Sequence, residues 1–148
     1  GALVGDALFV TGWLGGSLRS GRHARFVPRL REAQALTRRV RVHAMIDLSD
    51  GLASDLWQIS RASRVTLRVE AKQIPVSRGT TVSHALMDGE DFELLFAVGR
   101  GAVSQVPRRI GRCPVTRIGR VVARGVAVEL EDPDGRVTPL LPGGFRHF

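Results

Sequence analysis

The stretch from Ala44 to Leu56 constrains this chain more than any other. The apolar run Ala44-Met45-Ile46 passes without a spacer into Asp47-Leu48-Ser49-Asp50-Gly51 and then into apolar residues at helical spacing, Leu52, Leu56 and Ile59. A buried strand must hand over directly to a helix, and one core must cover both. The spacing places Asp50 at the N-cap, where a carboxylate accepts hydrogen bonds from the first free backbone amides. Those amides and the helix dipole also favour anions. Two oxygen-donor carboxylates at such a terminus suit a hard cation that bridges to phosphate. They equally suit an ordinary strand-to-helix turn with a capping Asp and a solvated neighbour.

Residues 7–11 read as a strand entering the glycine-rich turn 12–16, whose Gly12, Gly15 and Gly16 match neither a P-loop nor a dinucleotide fingerprint. The turn reads as a tight connection. Pro28 is placed to open a helix over 29–39 with Leu30, Ala33 and Leu36 on one side. Residues 42–47 form the next strand and 51–62 the next helix. Val65, Leu67 and Val69 alternate with Thr66, Arg68 and Glu70, the period of a half-buried strand. A short helix over 81–87 precedes the Gly89-Glu90-Asp91 turn. A strand over 92–98 then places Phe92, Leu94 and Phe96 on one face. Residues 103–110 predict a helical turn limited by Pro107, and 115–122 another strand. Segments 126–130 and 136–140 flank Asp132-Pro133-Asp134-Gly135, a hairpin signal. Strands and helices in mixed order with a terminal hairpin predict an α+β layer domain.

A chain of 148 residues with 43% hydrophobic content can bury a core of its own as one domain. Cys113 stands alone between Arg112 and Pro114, which excludes an internal disulfide and reads as a structural thiol. No apolar stretch reaches about 18 residues and no signal-peptide pattern is present, so a cytoplasmic protein without a membrane partner is expected. The net charge of +8 raises nucleic acid as a partner. Against it, all but one of the 22 basic residues are arginines, they are dispersed, and no run of interleaved aromatic and basic residues offers bases a stacking platform. A cluster of Arg19, Arg22, Arg25, Arg29 and Arg31 is better explained by an acidic partner lobe. His23, His43, His84 and His147 lack metal-ligand spacing.

Three strings, in order, carry a resemblance to a known family. Asp47-Leu48-Ser49-Asp50-Gly51-Leu52-Ala53-Ser54-Asp55-Leu56 resembles the DxSDGL…DL element of the thiamine-monophosphate kinases. The segment from Leu86 through Asp88-Gly89-Glu90-Asp91-Phe92-Glu93-Leu94 to Phe96 resembles their GGEDYEL segment, and Gly144-Phe145-Arg146-His147-Phe148 their terminal GYxHF. Val10-Thr11-Gly12-Trp13-Leu14-Gly15 and His23-Ala24-Arg25-Phe26-Val27-Pro28-Arg29 are also similar to family elements. Aminoimidazole ribonucleotide synthetase, selenophosphate synthetase and the hydrogenase-maturation relatives carry other strings at the first position.

The resemblance implies the C-terminal domain of the aminoimidazole ribonucleotide synthetase type: a mixed β-sheet with packed helices, partly ferredoxin-like. It covers the second lobe of a two-lobed enzyme. Gly1-Ala2-Leu3-Val4-Gly5-Asp6 is similar to the family's entry into that lobe. Residues 1–148 are therefore expected to be the C-terminal lobe of a longer kinase, with the N-terminal lobe, its metal-binding carboxylates and a homodimer interface lying elsewhere. The implied reaction is phosphoryl transfer from ATP to thiamine monophosphate with Mg²⁺, giving thiamine diphosphate. By motif position, Asp47 and Asp50 would ligate Mg²⁺, Ser49 would bind ATP, and Glu90 and Phe145 would contact thiamine monophosphate. No catalytic base is called for, since joining two anions needs positioning and charge neutralisation.

Asp88 stands where the family has Gly, which raises the question of a positive φ there, and Phe92 replaces Tyr. Asp55 and Asp6 read as structural. The competing readings are a module that binds nucleotide or a partner without turnover, and another ATP-using enzyme of the superfamily.

Overall fold

In a computed structural model, which describes residues 1–143, the chain folds around one mixed sheet covered on both faces. The strands are β1 (Ala7–Thr11), β2 (Val42–Asp47), β3 (Val65–Glu70), β4 (Leu94–Val98), β5 (Arg109–Ile110), β6 (Cys113–Arg124), β7 (Ala127–Glu131) and β8 (Val137–Pro139). The helices are α1 (Ser17–Ser20), α2 (Leu30–Arg39), α3 (Leu52–Ser63) and α4 (Val82–Met87). The strand order is β2-β4-β1-β6-β3-β7-β8, with β5 paired to β6. The β3/β7 pair is parallel and the others are antiparallel.

The central strands β1 and β4 are buried throughout because both faces are covered, and their period of two sorts the residues between two cores. Leu8 and Val10 of β1 and Leu95 and Ala97 of β4 face α3, which contributes Leu52, Ala53, Leu56 and Ile59. Ala7 and Phe9, with Leu94, Phe96 and Val98, face Leu36 and Val40 at the C-terminal end of α2. Phe9 and Phe96 stack there with ring centroids 5.4 Å apart. Leu56, fully buried in α3, fills the larger core. Leu56→Ala is expected to destabilise the chain by about 3 kcal/mol, read as a lower denaturation midpoint at unchanged slope in urea.

Two expected elements differ. Residues 103–110 do not form an α-helix: a 3-10 turn, Arg100–Gln105, ends before Pro107 and β5 follows, as expected where proline removes a donor and clashes with the preceding turn. Phe92 is not in the strand; β4 starts at Leu94, because Phe92 has a left-handed backbone with φ of 51°. The hairpin forms as the turn residues require. Asp132 Oδ1 accepts from the amides of Asp134 and Arg136 at 3.0 and 2.9 Å. No helix among the described residues is long and apolar enough to cross a membrane.

Candidate functional site

β2 and β4 are neighbours, with Asp47 opposite Leu94, so the loop leaving β2 runs beside the loop entering β4. Backbone hydrogen bonds tie the two: the Leu48 amide donates to the Glu93 carbonyl at 2.7 Å, the Phe92 amide to the Leu48 carbonyl at 2.8 Å, and the Glu90 amide to the Ser49 carbonyl at 2.8 Å. Asp47, Ser49, Asp50 and Glu90 are thereby gathered at one sheet end. Asp47 is exposed and the other three are half-buried. Phe145 lies outside the described residues. Just before it, the Gly143 carbonyl accepts from Ser54 Oγ and the Leu140 carbonyl from Trp57 Nε1, bringing the end of the described chain onto α3.

Asp50 does not cap α3. The N-cap is Gly51, with φ of 101° and no side-chain cap bond. The carbonyls of Leu86, Met87 and Asp88 lie within 3.2 Å of where a Gly51 Cβ would stand. Only glycine combines that backbone with that closeness. The carboxylate that serves this turn is Asp55, one turn into the helix and 1% exposed, whose Oδ2 accepts from the Asp50 amide at 3.2 Å. Sequence reasoning placed Asp55 among the structural residues and gave it no part in the site. Burial raises its pKa from the ordinary 3.8 to about 7, against the backbone hydrogen bonds, and the charges of Asp50 and Asp47 push it further up.

A carboxyl with a raised native pKa binds more protons folded than unfolded, so stability falls as pH rises from about 4 to about 7. Asp55→Asn is expected to flatten that slope, leaving the variant the more stable of the two at pH 8 without divalent cation. Urea midpoints at pH 4.5 and pH 8 check it, and a slope unchanged by the substitution would place the titration elsewhere.

Asp88 answers the question its sequence position raised. Its φ is −71°, ordinary extended backbone, and its Oδ2 accepts from the Gly16 amide at 3.0 Å with His84 Nδ1 at 3.2 Å. The positive φ values fall instead at Glu90 (62°) and Phe92 (51°), each costing on the order of 1–2 kcal/mol for a side-chain-bearing residue. The acids that alternate with them are buried: Asp91 is 6% and Glu93 4% exposed. Asp91 accepts from the Gly15 amide and from Arg22 Nη2, both at 2.8 Å. Burial raises its pKa to about 6 although those donors oppose the shift. Glu93 takes a bidentate grip from Arg29 at 2.8 and 2.7 Å and a hydrogen bond from Thr11 Oγ1 at 2.7 Å, which holds the guanidinium firmly protonated. A Cβ on Gly12 would overlap that carboxylate.

The glycine turn is thus a cradle for the chain's own carboxylates, in keeping with its reading as a connection. Arg22 and Arg29 point inward, so the arginine cluster is not wholly a surface for another lobe. Cys113 is buried, and burial raises its thiol pKa, in keeping with a structural thiol. The pairings of Asp91 and Glu93 were missed because Glu90 and Asp91, beside a glycine, also read as a solvated turn. Their alternation with Glu90 and Phe92 was the available signal.

Among the described residues, no group of three or more His, Cys, Asp or Glu side chains is arranged to hold a metal by itself. Asp47 and Asp50 do lie near enough for both to raise the Asp55 pKa. Two carboxylates so placed fit a hard cation as part of an oxygen shell that phosphate oxygens or further carboxylates would complete.

Residues 10–131 match the family described as AIR synthase related protein, C-terminal domain. A thiamine-monophosphate kinase of Rhodopirellula baltica is 45% identical over 157 residues, covering 99% of this chain and 49% of the relative. A solved structure described as AaThiL complexed with AMPPCP and TMP superposes with a TM-score of 0.73 at 26% identity, over 100% of this chain and 53% of that one. Escherichia coli HypE, a hydrogenase maturation protein, superposes with a TM-score of 0.74 at 21% identity, over 97% of this chain and 51% of that one, a likeness of fold alone. The chain spans about half the length of the curated relatives it matches.

Proposed function

We propose that this chain, which belongs to the AIR synthase related family as a C-terminal domain, is the C-terminal lobe of a thiamine-monophosphate kinase. The observation that carries the reading is the meeting of the Asp47-Ser49-Asp50 loop with Glu90 through three backbone hydrogen bonds, in a chain 45% identical to such a kinase along nearly all its length. The reaction breaks the bond between the γ-phosphorus of ATP and its bridging oxygen. It forms a bond from that phosphorus to a phosphate oxygen of thiamine monophosphate, leaving ADP and thiamine diphosphate.

Asp47 and Asp50 would hold Mg²⁺, which when bound neutralises charge between two anionic reactants. Ser49, whose hydroxyl lies 3.4 Å from Asp50 Oδ1, would bind a nucleotide oxygen, and Glu90 would meet the aminopyrimidine or thiazolium of the acceptor. Both reactants carry phosphates, and one acidic loop on an open sheet end cannot enclose them. The reading therefore includes a second, N-terminal lobe; a homodimer of the complete protein and a cytoplasmic setting belong to it only as what the family resemblance implies.

The test is thiamine diphosphate formation from ATP and thiamine monophosphate. The expected result is Mg²⁺-dependent turnover by the protein carrying both lobes and none by these 148 residues alone. Turnover by the single lobe, or transfer only to another acceptor, would overturn the reading.

A further inference from the structure

We infer that residues 22–29 are a strap that sets the geometry of the Glu90 loop, and that Arg22 and Arg29 are its positioning residues. Three side chains of the strap engage three consecutive residues of the loop. Arg22 pairs with Asp91 at 2.8 Å. The Phe26 ring stacks on Phe92 with centroids 4.0 Å apart and planes at 23°. Arg29 grips Glu93 through two nitrogens at 2.8 and 2.7 Å.

The strap is itself anchored. Arg22 Nη2 donates to the Trp13 carbonyl at 3.0 Å and Nη1 to Ser77 Oγ at 3.2 Å, and beyond Arg29 the chain enters α2. Left-handed backbone at non-glycine residues persists only where the surroundings over-determine it. Glu90 and Phe92 are the two such residues of this loop, and the strap's contacts fall on residues 91–93, beside and between them.

Arginine suits both ends because its planar fork holds a carboxylate in a fixed direction, which a lysine ammonium does not. With Asp91 and Glu93 drawn inward, Glu90 is left at the sheet end with its amide on the Ser49 carbonyl, and the Phe92 amide falls on the Leu48 carbonyl. Fixing residues 91–93 therefore also fixes the backbone beside Asp47 and Asp50. The strap accounts for an arginine pair, an exposed phenylalanine and two buried acids that the proposed chemistry does not use.

A merely structural strap and a positioning strap differ in what their loss does. Structural loss lowers global stability and speeds exchange of core amides. Positioning loss frees the Glu90 and Phe92 amides first. The experiment is amide hydrogen exchange by NMR on the 148-residue chain, wild type against Arg22→Gln and Arg29→Lys, with the Phe9 and Ile118 amides as core reporters. Exchange at Glu90 and Phe92 is expected to rise roughly tenfold or more in either variant while the core reporters hold. Arg29→Lys keeps a charge beside the buried Glu93, so the test survives if Arg29→Gln does not fold. Exchange that rises equally everywhere, or a Glu90 amide unchanged in both folded variants, would overturn the inference.

Its catalytic consequence rests on the function proposed above. In the two-lobed kinase, Arg22→Gln is expected to raise the KM for thiamine monophosphate far more than that for ATP, and to add little in a Glu90→Gln background, since both changes act through one group. Exchange changes without any kinase activity would count against the kinase and leave the strap standing. Full additivity of the two substitutions would remove Arg22 from the positioning of Glu90.

Discussion

Asp47→Ala and Asp50→Ala in the complete protein are each expected to abolish transfer to thiamine monophosphate while leaving the fold intact. Neither side chain supports the core: Asp47 is exposed at the end of β2, Asp50 is half-buried, and α3 begins on Gly51 without a side-chain cap. A capping role would have made each loss cost about 1 kcal/mol of stability. A shared role in holding a cation against phosphate makes it cost turnover, on the order of a thousandfold or more, about 4 kcal/mol of barrier. Stability should move the other way. Asp47 and Asp50 both disfavour ionisation of buried Asp55, so removing either relieves repulsion and the denaturation midpoint at neutral pH should hold or rise slightly. Kinetics and melting are measured side by side. Wild-type turnover in both variants at limiting Mg²⁺ would show that the two carboxylates belong only to a turn.

What the sequence made legible was local. The period of two in residues 65–70, the helical spacing of Leu52, Leu56 and Ile59, and the Pro-Asp-Gly turn are each a pattern contained within the element it specifies, and each element forms. The mouth of α3 was legible as a place and not as a geometry. Asp50 looked like the cap, yet its own amide donates to the Asp55 carboxylate, because a Gly51 squeezed against the carbonyls of residues 86–88 takes the N-cap position. The strap was not legible. Arg22 and Asp91 are 69 positions apart and Arg29 and Glu93 64 apart, and the alternation in Glu90-Asp91-Phe92-Glu93 separates two sets of residues without saying which set turns inward or onto which partners. That is decided by the β2–β4 register and by the glycine turn brought beside it, both tertiary. The left-handed conformations were sought at Asp88 and found at Glu90 and Phe92, because glycine preference signals where positive φ is easy and not where packing enforces it.

The residues assigned to the acceptor give the second large effect. In the complete enzyme, Glu90→Gln and Phe145→Ala are expected to raise the KM for thiamine monophosphate while changing the KM for ATP much less. Glu90 is suited to the test. Its backbone is fixed by the hydrogen bond that its N–H donates to the Ser49 carbonyl and by the residues that follow, so the amide replacement keeps shape and loses only charge. A carboxylate facing a cationic thiazolium or an aminopyrimidine is worth more than its neutral isostere, through a charge-assisted bond. For Phe145, loss of a stacking or cation–π contact in a desolvated pocket corresponds to about 1–2 kcal/mol, roughly ten- to thirtyfold in KM. Melting temperatures separate a lost contact from a loosened fold, since only the latter lowers them. Unchanged thiamine monophosphate kinetics in both folded variants would mean that the fold and the nucleotide chemistry are read correctly and the acceptor is another phosphate.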